Sequence, residues 1–417
     1  MIPMVPSSSR PRVLYLTAGF PYPLFSGYLR HHFLVRELAV DHDVILASLV
    51  GPSFRHEHAD AMQPWAERVL TFGGSKPDAV EQGRRVVAPL VATGAVRDLC
   101  RAVDDLLRAG QIDVVVLSGK DTAPAAAVVE RHGIPLVVDL CDATSARLGR
   151  EARHADGSRR AVLRARRQSV RVVERRLERA ADVVLTASER DLEHLRRDAS
   201  DPAALEAAVV VPNGVDAGYW HRTSVRLGAS VAFCGNLAYR PNADAADVLL
   251  RSVMPRVWQE RPEARLLLIG RGTPQDLVRA SRGLPVELTG EVPDVRPYLE
   301  RAASFAAPLR SAAGIQNKIL EAMAMEIPVI ASPLAVDGLR IGGETPPVAC
   351  VAPDEMAPAI LRSLDAAART GRPDAAARAW VGDRFVWEAS GRRLAAAITA
   401  AIGRPVSSAE RSAVPPC

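Results

Sequence analysis

The sequence is poor in lysine, in aromatics and in pairable cysteine, and it has no long apolar run. Lysine plus arginine number 53 in a chain of 417 residues, yet lysine stands only at Lys76, Lys120 and Lys318. Aromatic residues make up 5%, too few for the stacking platforms of single-stranded nucleic-acid binders, and the net charge of +5 is mild. Nucleic acid is therefore not expected as a partner. Cys100, Cys141, Cys234, Cys350 and Cys417 are scattered, odd in number and without a CxxC spacing. That argues against a disulfide framework or structural zinc and fits a reducing cytoplasm. No apolar stretch approaches the roughly 20 residues of a membrane span. Met1 to Arg12 carries prolines and Ser7–Ser9 where a secretory signal would have an apolar core.

What is present is a 48% hydrophobic chain long enough for two domains. Strand-like and helix-like apolar segments alternate along it. Strands are expected at Arg12–Thr17, Val44–Leu49, Val114–Ser118, Pro135–Leu140, Val183–Thr186 and Ala208–Val211. The pattern restarts with Val231–Cys234, a helix over Ala243–Gln259, and strands at Arg265–Ile269, Val286–Thr289, Phe305–Pro308, Pro328–Ala331 and Val348–Val351. Strictly alternating strand and helix implies an α/β fold of two doubly wound, Rossmann-like domains. The Pro-Asn-Gly turn after Val211 marks the boundary. The expected division is 1–215 and 216–384, then a helix over 385–404 returning to the first domain and a disordered Ser/Pro-rich tail, 405–417. Asp216 to Ala229 reads as a linker. Ligands of such sheets bind outside the strand C-terminal ends, so an interdomain site is expected.

The segment around Gly314, Ile315, Gln316, Asn317, Lys318 and Glu321 is the most informative. It reads as a glycine loop, a helix starting near Asn317, and then a buried strand. A helix N-terminus suits a phosphate, and a lysine in the first turn makes sense when an anion docks there. Glu321, three residues on, shares that face and suits ribose hydroxyls. A solvated Lys–Glu pair is the bland alternative.

The run GIQNKILEAMAMEIPVIASPLAVDGL (Gly314–Leu339) closely resembles the retaining, nucleotide-sugar-dependent GT-B glycosyltransferases of family 4, in particular the exosortase- or exopolysaccharide-associated subset. FPYPLFSGYLR (Phe20–Arg30), VVDLCDATS (Val137–Ser145), VVPNGVD (Val210–Asp216), VAFCGNLAYRPNADA (Val231–Ala245), LLLIGRG (Leu266–Gly272) and LTGEVPDVRPYL (Leu288–Leu299) agree in order. The resemblance implies a nucleotide-diphospho-sugar donor, a hydroxyl acceptor (glycan, lipid-linked or natural-product), retention, and no metal requirement. It places Gly27 against the diphosphate, Gly270 and Gly272 beside the base, and Gly235, Asn236 and Arg240 where relatives bind phosphate. Of the two glutamates that the family spaces eight apart, the second falls on Glu321 and the first on Ala313, which has no carboxylate.

Asp142, at the end of a buried strand, is a candidate catalytic or acceptor-binding carboxylate; the competing role is a helix cap. Arg30 reads as a surface arginine or an anion contact. Asp41-His-Asp43 and His56-Glu-His58 read as turn and loop chemistry rather than metal sites. Gly119-Lys120 lacks the spacing of a phosphate loop, and no GxGxxG follows a first strand. Arg153 to Arg179 holds ten arginines and reads either as an amphipathic helix with a solvated face or as an attraction for acceptor or anionic membrane. Two other activities fit the expected fold: a nucleotide-sugar epimerase or phosphorylase, and a non-catalytic sugar-nucleotide binder.

Overall fold

The computed structural model describes residues 10–24, 28–75, 88–153, 155–199, 201–224, 226–311 and 314–404. Gly27, Ala313 and the tail 405–417 lie outside the described residues. The chain divides into two compact units. One comprises Met1–Ala187, Asp191–Val211 and Ser390–Cys417; the other comprises Ser188–Arg190 and Pro212–Ala389.

The first unit is built on seven strands: β1 (Arg12–Thr17), β2 (Asp43–Val50), β3 (Arg68–Gly73), β4 (Val114–Ser118), β5 (Leu136–Cys141), β6 (Val183–Thr186) and β7 (Val209–Val210). Their order is β3-β2-β1-β4-β5-β6-β7, and every pairing is parallel. Parallel strands are covered on both faces, which is why β1 and β4 are near-continuous apolar runs. Alternate residues feed opposite cores. Leu14 and Leu16 meet Leu99, Val103 and Leu177 on one face. Val13 and Tyr15 meet Leu34, Leu38, Leu394 and Ile398 on the other. The last two come from the helix Trp387–Ile402, so the chain's end completes the first unit's core. Each fully buried aliphatic side chain contributes roughly 1.5–3 kcal/mol.

The second unit has β8 (Ser230–Cys234), β9 (Arg265–Ile269), β10 (Val286–Gly290), β11 (Ala302–Ala307), β12 (Val329–Ala331) and β13 (Ala349–Cys350), in the order β10-β9-β8-β11-β12-β13. These pairings are parallel too. Strand order therefore reverses twice: between β1 and β4, and between β8 and β11. Crevices at such switch points are where doubly wound sheets hold ligands.

Four elements differ from the sequence expectations. The helix expected over Ala243–Gln259 runs as Arg240–Val248, a π-helical turn Leu249–Val253 and Met254–Glu260. Pro255 supplies no N–H and crowds the carbonyl four residues back, so the turn widens. The described residues of Asp216 to Ala229 form a strap fixed to the second unit. Arg378 donates to the carbonyls of Trp220 (2.8 Å) and Ala217 (2.9 Å), and Glu300 accepts from the Thr223 amide at 2.6 Å. The edge strand β3 and the helix Gly94–Arg108 have no counterpart in the sequence reading.

Candidate functional site

In the second unit, β8 ends at Gly235 and β11 leads through a loop to the helix Asn317–Ala324. Lys318, in the first turn of that helix, is half-buried. It does not pair with Glu321 as a solvated helical couple would. Its ammonium instead donates to Asn242 Oδ1 and sits 4.8 Å from the centre of the Phe233 ring. Phe233 lies on β8 and Asn242 on the helix that follows it, so the lysine bridges the two sides of the switch point. Asn242 is itself fixed, donating to the Asn236 carbonyl at 2.9 Å. Burial pushes the lysine pKa below its ordinary value, opposed by Cys234 and Glu321.

Gly235 makes this placement sterically available. A Cβ there would lie 2.7 Å from Asn242 Nδ2 and 3.0 Å from Lys318 Nζ, and its φ of +151° disfavours other residues. Gly270, ending β9 at φ +135°, approaches so closely that a Cβ would stand 2.0 Å from the Gly235 carbonyl oxygen. The two strand ends thus present bare backbone. Gly272 packs beside Ala238. The exposed side chain of Asn236 closes a turn by accepting from the Ala238 amide at 3.1 Å. Arg240 is exposed at the start of the next helix, and its side chain makes no hydrogen bond or ion pair with a described residue.

Gly314 and Ile315 are buried, Ile315 within the second unit's core, so its side chain serves packing. Gln316 occupies the position before the helix without capping it through its side chain. Asn317 accepts from Asn213 Nδ2 at 2.9 Å, which ties the Pro-Asn-Gly turn to the helix start. The Glu321 carboxylate makes no hydrogen bond or ion pair with any described residue, and burial pushes its pKa up to about 7 against the pull of Lys318. A cation, a helix N-terminus and an unpartnered carboxylate one turn apart therefore share one switch point.

The first unit's switch point is organised differently. Arg30 does not lie on the surface, as one sequence reading had it. It is 3% exposed and its Nε donates to Asp139 Oδ2 at 2.9 Å, with Asp139 0% exposed on β5. His31 lies between the Tyr15 hydroxyl and the Ser118 hydroxyl, each 3.1 Å from a ring nitrogen. Burial pushes its pKa down to about 4, so it is neutral near pH 7. Sequence reasoning missed this cluster because its bonded partners are up to 109 residues apart.

Asp142 follows β5. Its carboxylate accepts from the Thr144 hydroxyl at 2.5 Å and lies 3.7 Å from Lys120 Nζ. Lys120 also donates to Thr144 at 2.9 Å and approaches Glu174 at 3.7 Å. Among the described residues no group of three or more His, Cys, Asp or Glu is placed to hold a metal ion.

The arginine-rich segment forms the helix Gly157–Ala180, which buries Leu163, Val173 and Leu177. Arg171 pairs with Asp198 at 2.5 Å and Arg176 with Glu130. Arg164 and Arg166 remain exposed, beside an exposed Val162. No helix among the described residues is long and apolar enough to cross a membrane.

Two parallel, doubly wound units of this topology define the GT-B architecture. Each also matches a family model: residues 33–214 match "Glycosyl transferase 4-like domain" and residues 228–366 match "Glycosyl transferases group 1". The chain is accordingly a glycosyltransferase of the GT-B fold. HepE of Anabaena, solved with UDP and glucose, is similar in structure, with a TM-score of 0.62, 17% identity, and coverage of 94% of this chain and 100% of its own. A glycosyltransferase from Rickettsia africae gives 0.66 at 11% identity, covering 95% and 100%. A putative UDP-N-acetylglucosamine 2-epimerase from Listeria monocytogenes gives 0.53 at 11% identity, covering 94% and 96%. At these identities the likeness speaks for the fold. No curated protein matches the sequence.

Proposed function

We propose that this glycosyltransferase moves a sugar from a nucleotide-diphospho-sugar to a hydroxyl acceptor with retention of anomeric configuration. The observation that carries the reading is Lys318: a half-buried ammonium in the first turn of a helix, at the β8/β11 switch point, with no carboxylate among the described residues within ion-pair distance. A cation and helix N–H groups placed so are suited to a departing diphosphate. HepE, solved with UDP and with UDP-glucose, favours a uridine donor as the first to test.

In this reading the bond between the anomeric carbon and the diphosphate oxygen breaks, and the electron pair leaves with the diphosphate. Lys318, the backbone at Gly314–Asn317 and the Gly27 loop stabilise that charge. Glu321 accepts from the ribose hydroxyls. Gly235, Asn236, Arg240, Gly270 and Gly272 line the phosphate and base. The acceptor oxygen attacks the same face of the sugar, and its proton passes to the leaving phosphate. Asp142 orients the acceptor hydroxyl. The charge is carried by protein groups, so the reading requires no resident metal. An amphiphilic or lipid-linked glycan acceptor, met at an anionic membrane face through Arg164 and Arg166, belongs to the same proposal.

The test is turnover of UDP-, GDP- and dTDP-sugars with and without acceptor. Glycosylated product that requires an acceptor, with retained configuration, supports the reading. An isomerised nucleotide-sugar formed without acceptor indicates an epimerase. Nucleotide-sugar binding without product for any acceptor indicates a non-catalytic binder. Either outcome defeats the proposal.

A further inference from the structure

Two energetically unfavourable features coincide where β5 ends. The first is the Arg30–Asp139 pair, buried on both sides, with Nε–Oδ2 at 2.9 Å and Nη2–Oδ1 at 3.4 Å. Removing two charges from water costs several kcal/mol per ion, and apolar residues of similar volume are often as stabilising or more so. The second is Cys141, which holds φ at +60°. Only Glu326, at +57°, shares this among the non-glycine residues described. Such a backbone costs of order 1–3 kcal/mol and persists only where its surroundings over-determine it.

One carboxylate joins the two features. While Asp139 Oδ2 receives Arg30, Asp139 Oδ1 accepts the backbone N–H of Cys141 at 2.9 Å. At this point the pairing of β5 with β6 shifts register, between Asp139 and Cys141. The Asp142 amide turns back to the Leu140 carbonyl at 2.7 Å, and the Ala187 amide donates to the Cys141 carbonyl at 2.7 Å. The kink delivers Asp142 out of the strand to Thr144 and Lys120. Cys141 has no evident chemistry of its own, because burial pushes its thiol up to about 12.

We propose that Arg30 and Asp139 are positioning residues for Asp142. Arg30 fixes the Asp139 carboxylate, Asp139 holds Cys141 in its left-handed conformation, and that kink sets where the Asp142 carboxylate meets an acceptor hydroxyl. Arg30 lies in the first turn of the helix Leu29–Leu38, so one ion pair ties that helix to the end of β5. This inference rests on the acceptor role proposed for Asp142.

Two double variants separate positioning from folding. Arg30→Met/Asp139→Asn removes both charges but keeps an oxygen for the Cys141 amide. Arg30→Met/Asp139→Leu removes that oxygen as well and is apolar throughout. Hydrogen exchange at the Cys141 amide should stay slow in the first and quicken about tenfold in the second, the worth of roughly one hydrogen bond. Acceptor-dependent kcat should stay within a few-fold of wild type in the first and fall about 10–100-fold in the second, with acceptor-free donor hydrolysis unchanged in both. Adding Cys141→Gly to the second should recover part of the loss, because glycine takes the left-handed conformation without penalty. Equal kcat in the two doubles, or equal exchange at Cys141, overturns the proposal. A wild type without donor turnover defeats the functional reading instead, and the exchange comparison still decides whether Asp139 holds the kink.

Discussion

The two switch points use ionisable groups in opposite ways. At β1/β4 every charge is answered: Arg30 by Asp139, with the neutral ring of His31 held between two hydroxyls. At β8/β11 the charges are left open. Lys318 leans on a neutral amide and a ring face, and the Glu321 carboxylate has no hydrogen-bonding partner among the described residues. Buried polar groups are normally satisfied, so a cation without a counter-charge beside an unpartnered carboxylate at a ligand-binding topology supports the proposed donor site. The first arrangement builds a rigid frame; the second stores binding capacity.

The sharpest way to break that contrast is Lys318→Ala. If the ammonium meets the diphosphate, kcat/KM should fall about 10²–10³-fold, the usual cost of removing one preorganised charge-stabilising donor. The melting temperature should hold or rise, because an ion without a counter-charge is removed from a half-buried position. A frame residue behaves in the opposite way: Arg30→Ala alone leaves the Asp139 carboxylate buried and unpaired and should cost about 3–5 kcal/mol of stability. Steady-state kinetics and thermal melts on the two variants test this together. Wild-type turnover in Lys318→Ala would remove the donor assignment.

Glu321→Gln sharpens the contrast through pH. The folded protein raises this carboxyl from 4.5 to about 7, chiefly through burial. The fold therefore favours the neutral form. The penalty is absent below 4.5 and sets in as pH rises through the folded pKa, so stability of the empty protein falls across that window. Ribose hydroxyls need the ionised form as acceptor, so nucleotide affinity should rise across the same window, by up to about tenfold per pH unit below the folded pKa. Melts and nucleotide titrations from about pH 5 to 8.5 should show two opposite slopes, and both should flatten in Glu321→Gln. An unchanged affinity slope in the variant would assign the titration to another group.

The same contrast explains what the sequence made legible. Buried parallel strands are continuous apolar runs, so β1, β4, β6 and β9 stand where the pattern put them. Lys318 and Glu321 were readable because both lie in one short helix whose start the glycine loop announces. The frame was not. Arg30 looks like any of the chain's many arginines until the fold brings β5 beside the helix Leu29–Leu38. Cys141 carries no residue-type sign of a left-handed backbone: the carboxylate that accepts its amide lies two residues earlier at Asp139, but the Arg30 that pairs with that carboxylate lies 109 residues away. The edge strand β3, RVLTFG, is only partly covered and lacks the uninterrupted apolar signal. Local chemistry was visible; long-range compensation was not.

A smaller effect is expected at Asn213, whose Nδ2 donates to Asn317 Oδ1 at 2.9 Å. Asn213→Ala removes one neutral hydrogen bond, worth about 1 kcal/mol, so donor KM should rise about fivefold with kcat nearly unchanged. A loss confined to kcat would mean that Asn213 acts on the reacting centre rather than on the placement of the helix.

The smallest effect on chemistry belongs to the arginine-rich helix, which tests whether the first unit's frame also faces outward. Arg171 and Arg176 are committed to Asp198 and Glu130, whereas Arg164 and Arg166 point their charge into solvent beside Val162. Basic residues near an anionic bilayer are worth about 1 kcal/mol each, so Arg164→Gln/Arg166→Gln should weaken binding to phosphatidylserine-containing vesicles by about 10–30-fold at low salt. Turnover of a water-soluble acceptor should not change, because neither side chain is among those proposed to hold the donor or a soluble acceptor. Equal vesicle binding by wild type and variant would leave the exposed arginines as a solvated face, and the charge of this helix would then be accounted for by its intramolecular pairs.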